Sequence, residues 1–178
     1  LALKVMPELE RLESVALAAP GRRLRLDTPG IGQGLQDHPA APLTLLLRDG
    51  VDNQQSGLAV GTLLHQHLGE NLVQLLPMNH IGRRPGTERL ALFMPALMTP
   101  SSAGGNVTID SAGQPIVDFA LLSDAEDTAA LKAAVKFALD VLSRPSFADI
   151  VEMVYIDEHG TTADALADDT TLQRWLRS

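Results

Sequence analysis

Few side chains in this sequence could do chemistry, and they are scattered. Asp37 and His38 stand together in "PGIGQGLQDHP", residues 29–39, behind Gly30, Gly32 and Gly34. His65 and His67 are separated by one residue, and His80 and His159 stand alone. Carboxylates cluster at Asp124, Glu126 and Asp127, at Asp157 and Glu158, and at Asp168 and Asp169. These groups allow four chemistries: phosphate cradling by the glycines, proton transfer by Asp37 and His38, metal binding by the histidines, and acid–base work by paired carboxylates.

None of the four is complete. A dinucleotide loop needs G-x-G-x-x-G between a strand and a helix. Gly30 and Gly32 fit it, but Leu35 occupies the third glycine position, and a strand follows. Without a helix N-terminus there is no amide cluster to hold a pyrophosphate. Adjacent side chains on extended backbone point to opposite faces, so Asp37 cannot orient His38 as a triad aspartate would. No G-x-S-x-G elbow occurs.

His65 and His67 share one strand face, a metal hint that lacks a third ligand. In the hairpin expected there, His67 falls near Asn71, and His80 lies about nine residues from His67, roughly 30 Å at strand rise. The carboxylate clusters sit where helices and turns begin, which the helix dipole explains. Met78, Met94, Met98 and Met153 lie in apolar segments and are read as core. No residue is assigned as catalytic or as a metal ligand.

The bulk properties narrow the classes further. The 178 residues are 45% hydrophobic and 20% charged, ordinary for a soluble domain with a real core. A net charge of −8 argues against a nucleic-acid surface. There is no cysteine, which excludes disulfides and thiolate chemistry. Nothing approaches the run of about 18 apolar residues that spans a membrane. The first residues, "LALKVMPELERL", lack the h-region and cleavage site of a secretory signal, so a cytoplasmic protein is expected.

The elements that must position these groups follow from periodicity. A short helix is expected over 7–19 and a strand over 22–27. "APLTLLLRD" reads as a buried strand. "LAVGTLLHQH" and "NLVQLLPMNH" form a hairpin around Gly69, with Pro77 calling for an edge or a bulge. "RLALFMPALMTP" is a strand that Pro95 interrupts. "NVTIDSAGQPIVDFALL" is a hairpin turning at Ala112-Gly113, its second strand running from Ile116 to Leu122. Ser123 and Glu126 form a capping box for a helix with Leu131, Ala134, Val135, Ala138, Leu139 and Leu142 on one stripe, stopped by Pro145. Residues 147–155 read as one or two helical turns. Asp168 or Asp169 caps a last helix with Leu172, Trp175 and Leu176 inward. Strands followed by helices predict an α+β fold, a mostly antiparallel sheet with helices on one face, concentrated in the C-terminal third.

Two blocks resemble a known family. "TPGIGQGLQDHP" resembles the "LPGVGxNLQDHP" segment of the glucose–methanol–choline (GMC) FAD-dependent oxidoreductases. "PSSAGGNVTIDSAGQPIVDFALLSDAEDTAALKAAVKFA" is similar to a second family block through Ser102, Gly105, Val107, Ser111, Pro115, Ile116, Leu122 and Asp127. "TTLQRWLRS" resembles the stretch upstream of the family's catalytic histidine segment. Gly34 stands where the family usually has asparagine, and Ala103 or Gly104 where arginine is common.

The resemblance implies that residues 1–178 form one domain, part of the family's substrate-binding domain, with 1–27 less clearly covered. The FAD-binding domain and the catalytic histidine segment would lie outside it. It implies oxidation of a CH–OH group by hydride transfer to FAD in the full-length protein, with no flavin expected on this chain alone and no activity by itself. It places Gly34, Asp37 and His38 at a junction near the flavin. The expected partners are the chain's own FAD-binding domain and a small alcohol, with self-association through the exposed domain interface. His65, His67, Met78 and Phe93 are candidate pocket residues whose facing the sequence leaves open, and the 3% aromatic content tilts against a choline cage. Two other readings remain at this point: a free-standing α+β binding or assembly module, and a metal hydrolase built on His65 and His67.

Overall fold

Strands fill the described chain up to residue 118, and helices dominate after it. The computed structural model describes residues 30–51, 62–81, 85–101 and 104–178. The helix expected over 7–19 and the strand over 22–27 lie outside them. In chain order the elements are β1 (Gln33–Leu35), β2 (Leu43–Leu47), β3 (Leu64–Leu68), β4 (Asn71–Met78), β5 (Leu90–Leu97), β6 (Gly105–Ile109) and β7 (Pro115–Asp118), then α1 (Ala125–Leu142), α2 (Pro145–Ala148), β8 (Val151–Tyr155), a 3-10 helix (Ala163–Ala167) and α3 (Asp169–Trp175). Every strand pairing is antiparallel, so the expected α+β class with C-terminal helices is what forms. Among the described residues no helix is long and apolar enough to cross a membrane. Two compact units result, one drawn from residues 30–37 and 104–123, the other from 38–101 and 124–178.

The first unit is a three-stranded sheet in the order β1-β6-β7. The β6–β7 hairpin closes where the sequence places it, because Asp110 Oδ1 accepts from the amides of Ala112 and Gln114 at 2.9 and 2.8 Å. The second strand stops at Asp118 rather than continuing to Leu122. Asp118 Oδ1 takes the amide of Ala120 at 2.8 Å, and Ala120 and Leu122 turn to φ 48° and 55°.

The glycines of the opening stretch serve this sheet. Gly32 has φ +79°, and a Cβ there would lie 2.3 Å from the carbonyl oxygen of Val107. Gly34, at φ +71°, sits where the β1–β6 register slips between Gln33 and Leu35, the extra residue of a bulge. A Cβ on Gly34 meets nothing within 4 Å, so only the backbone angle constrains it. Asparagine tolerates that angle better than other side chains, which gives a physical reason for glycine here and asparagine in the resembling motif. Gly32→Ala is therefore expected to destabilise by about 3 kcal/mol, and Gly34→Asn by less than about 1 kcal/mol, in chemical denaturation. Equal losses would contradict this division of roles.

The second unit is a five-stranded sheet in the order β3-β4-β5-β2-β8. Side chains alternate across it. Leu43, Leu45, Leu47, Val73, Leu75, Ala91, Phe93 and Leu97 are buried on one face. α1 packs against β5. Its buried stripe is Leu131, Ala134, Val135, Ala138 and Leu142. Ala134, Ala138 and Val135 let the helix approach the sheet closely. Phe93 meets Phe147 of α2 edge to face, with centroids 6.0 Å apart.

Two prolines run inside these strands without breaking them. Leu72 accepts from the amide of Met98, so alternation turns the Pro77 nitrogen toward β3, which has already ended at Leu64. Pro95 turns its nitrogen toward the end of β2, and its carbonyl accepts from Ala41 at 3.0 Å. Each missing N–H thus falls where the neighbouring ladder stops. The expected interruption at Pro95 does not occur.

Two local expectations are corrected at the C-terminal side. The N-cap of α1 is Asp124, whose carboxylate accepts from Glu126 N at 2.6 Å, one residue later than the Ser123 box. Asp127, 1% exposed, accepts from the Ser101 amide at 2.7 Å and ties the segment after β5 to the helix start. Residues 151–155 are not helical. They form β8, which pairs with β2 from Leu47↔Val151 to Thr44↔Tyr155.

α3 is capped by Asp168, which accepts from Thr171 N at 2.7 Å, and Leu172 is fully buried, as expected. Trp175 Nε1 donates to Ile156 O at 2.8 Å. Asp169 takes Lys132 and Lys136 of α1. The Thr171 hydroxyl bond holds the Asp168 carboxyl below its ordinary range, and the lysines do the same for Asp169. Asp157 is lowered chiefly by Thr161. A carboxylate whose folded pKa is depressed contributes stability above its unfolded pKa and loses it as pH falls through the folded value. Melting temperature is therefore expected to hold from neutral pH down to the ordinary aspartate range and drop below it. Asp168→Asn should shrink that acid-dependent drop in a pH series of thermal melts.

Candidate functional site

The face of the five-stranded sheet opposite the fully buried one is the most distinctive surface of the second unit. Strand register arranges its side chains in rungs. Met153, Leu46 and Leu90 form one, and Tyr155, Thr44, Leu92 and Met78 the next. Leu76 and Met94 follow, then Ala96, Gln74 and His65. His67 lies opposite Leu72, one residue from its expected partner Asn71. Apart from buried Ala96, these side chains are half-buried or exposed, Met153 reaching 39%.

No Lys, Arg, Asp or Glu stands on any rung of this face, in a chain with 14 Lys and Arg and 22 Asp and Glu. The polar groups that are present sit at its margins and among the leucines: Thr44, Tyr155, Gln74, His65 and His67. His65 donates from Nε2 to Oε1 of Gln74 at 2.8 Å, which orients its ring. The methionines expected in the core are not there: Met78, Met94 and Met153 belong to this open face, and Met98 is half-buried just past the end of β5. Phe93, a candidate pocket residue, points the other way and is fully buried beneath the helices. The strand sequences conceal this distinction because LTLLL, NLVQLLPM and LALFMPAL are apolar on both faces.

The remaining candidates are placed as follows. Gly34 is exposed within β1, and Asp37 and His38 are exposed in the stretch between β1 and β2. The chain passes from the first unit to the second between Asp37 and His38. Among the described residues no group of three or more His, Asp or Glu could hold a metal, and His65 and His67 gain no third ligand.

A groove of about 750 Å³ opens between α1, β8 and the 3-10 helix, lined by Leu139, Leu142, Val151, Leu166 and Lys136 among others. Three of its four charged residues are already engaged, Asp164 being the fourth. Lys136 reaches Asp169 at 3.2 Å, Glu152 is paired with Arg89, and Arg48 Nε donates to Ala148 O at 2.8 Å. The groove therefore offers shape without an acid–base pair.

The fold itself is one found in oxidoreductases. No family model matches the sequence, and no curated protein matches it. Among solved structures, pyridoxine 4-oxidase from Mesorbium loti is similar over 89% of this chain, with a TM-score of 0.68 and 18% identity. A formate oxidase variant from Aspergillus oryzae RIB40, probed for its effect on FAD modification, is similar over 88% with a TM-score of 0.65 and 19% identity. At such identities the likeness shows the fold alone. The chain spans about a third of the length of these proteins, 32% and 37% respectively.

Proposed function

We propose that this chain is the substrate-binding part of a cytoplasmic FAD-dependent alcohol oxidoreductase of the GMC family, inactive by itself. The observation that carries the reading is the sheet of the second unit, roofed by α1 on one side and open on the other, with no Lys, Arg, Asp or Glu on the rungs of that open face, in a fold shared with oxidases. The two sequence blocks support it. The open face would form one wall of a cavity, and the chain's own FAD-binding domain the rest.

The residues present fit FAD at a margin only. Gly32 is committed to close packing against β6, and the glycine stretch leads into a strand, so nothing here cradles a pyrophosphate. Gly34, Asp37 and His38 are the residues we place beside the flavin, where a bulged backbone and two polar side chains can border its edge. FAD, when bound, supplies the acceptor for the hydride leaving the alcohol carbon. By the family resemblance, the hydroxyl proton would go to a histidine base in the rest of the protein, leaving a carbonyl product. The leucines and methionines of the open face exclude water from that carbon and hold the substrate against it.

The test is expression of the polypeptide together with its genomic flanks. A yellow protein that reduces an acceptor dye on addition of an alcohol is expected, and a colourless one without alcohol-dependent turnover overturns the reading. The chain alone should self-associate through its open face. Light scattering across a concentration series checks this, and a clean monomer throughout would count against it.

A further inference from the structure

We infer that the open face selects uncharged alcohols with an apolar tail, and discriminates against polyols, quaternary ammonium alcohols and carboxylates. This deepens the function proposed above and rests on it for the alcohol group. The argument is one of complementarity. A cationic substrate needs a carboxylate or a stacked aromatic cage, and among the described residues no carboxylate stands on a rung of this face, where Tyr155 is the one Phe, Tyr or Trp ring. A carboxylate such as formate needs a fixed cation, and no Lys or Arg stands on any rung. A polyol needs a hydrogen-bond partner for each hydroxyl group, because a desolvated hydroxyl without one is costly.

What the face supplies is a continuous apolar strip. Leu46, Leu76, Leu90, Leu92, Met78 and Met94 occupy adjoining rungs. Methionine side chains adapt to irregular alkyl shapes, so the strip can follow a chain of methylenes. Thr44 and Tyr155 are opposite each other across β2 and β8 and give the strip a polar end. Gln74 with His65 gives it another. A molecule with one hydroxyl and a long alkyl or ring system matches that distribution.

The experiment follows the methyl signals of Met78, Met94 and Met153 by NMR in this chain labelled at methionine, at a concentration where light scattering shows the monomer. Alcohols are added one at a time: 1-butanol, 1-hexanol and 1-octanol, then glycerol, glucose and choline. The expected result is a shift of those three signals with the alkanols, the apparent affinity rising about threefold to fourfold per added methylene. Glycerol, glucose and choline should leave them in place. Shifts with choline or a polyol at equal or lower concentration than 1-octanol would overturn the inference, as would no shift with any alkanol. If the alkanols bind here but the flavin-containing full-length protein oxidises no alcohol, the function proposed above fails while the ligand class of the face stands.

Discussion

Phe93→Ala is expected to destabilise the chain by about 3–5 kcal/mol, a large part of the stability of any small domain. The ring is fully buried in the middle of β5, in register with Leu43 on one side and Pro77 on the other. It is the ring that meets Phe147 edge to face, so its loss empties a site bounded by two neighbouring strands and a helix. Rigid strands held by hydrogen bonds cannot close in on such a cavity, which puts the cost toward the upper end of the range. Phe93→Leu keeps most of the volume and should lose less than half as much. Urea unfolding followed by circular dichroism measures both. A Phe93→Ala loss below about 1 kcal/mol would mean that this face is not the core.

The opposite behaviour is expected one residue along. Met94→Asp places a charge on the open face, where a half-exposed side chain can still reach water, so its effect on unfolding should be small, under about 1 kcal/mol. Its effect on what the face touches should be large. Burying that carboxylate beneath a bound apolar alcohol costs about 2 kcal/mol or more, equivalent to roughly thirtyfold in kcat/KM of the full-length enzyme. Flavin content should not change. The same variant should shift the isolated chain toward monomer. A Met94→Asp protein that unfolds readily but binds and assembles as before would reverse the assignment of the two faces.

Sequence periodicity made parts of this architecture legible for identifiable reasons. The β6–β7 hairpin combines alternation at Val107 and Ile109 with an Asp-led turn, and α1 combines a stripe of 3.6-residue period with an acidic start, so local signals agree with the fold. β8 gave no such signal. "VEMVY" is five residues long and adjoins a real helical turn, and it is a strand because β2, about a hundred residues upstream, offers it an edge. The candidate site was hidden for a related reason. His65, His67 and Met78 were visible as chemistry-bearing types, but which face of the sheet the helices would cover depends on α1, and β2, β4 and β5 are apolar on both sides. The glycines of residues 30–34 were legible as a close backbone approach. Their division into a contact at Gly32 and a bulge at Gly34 required the register of β6.

Both units are stitched from two separate lengths of chain, with the crossings near residues 37, 101 and 123. A ribosome delivers the strands of the larger unit long before the helix that seals them and the strand that closes its β2 edge. Through that interval β2 has an unpaired rim and Phe93 has no roof, an invitation to wrong neighbours. Such a chain should depend on holding factors during synthesis, and its slowest folding event should be the late capture of residues 151–155 rather than anything in the hairpins.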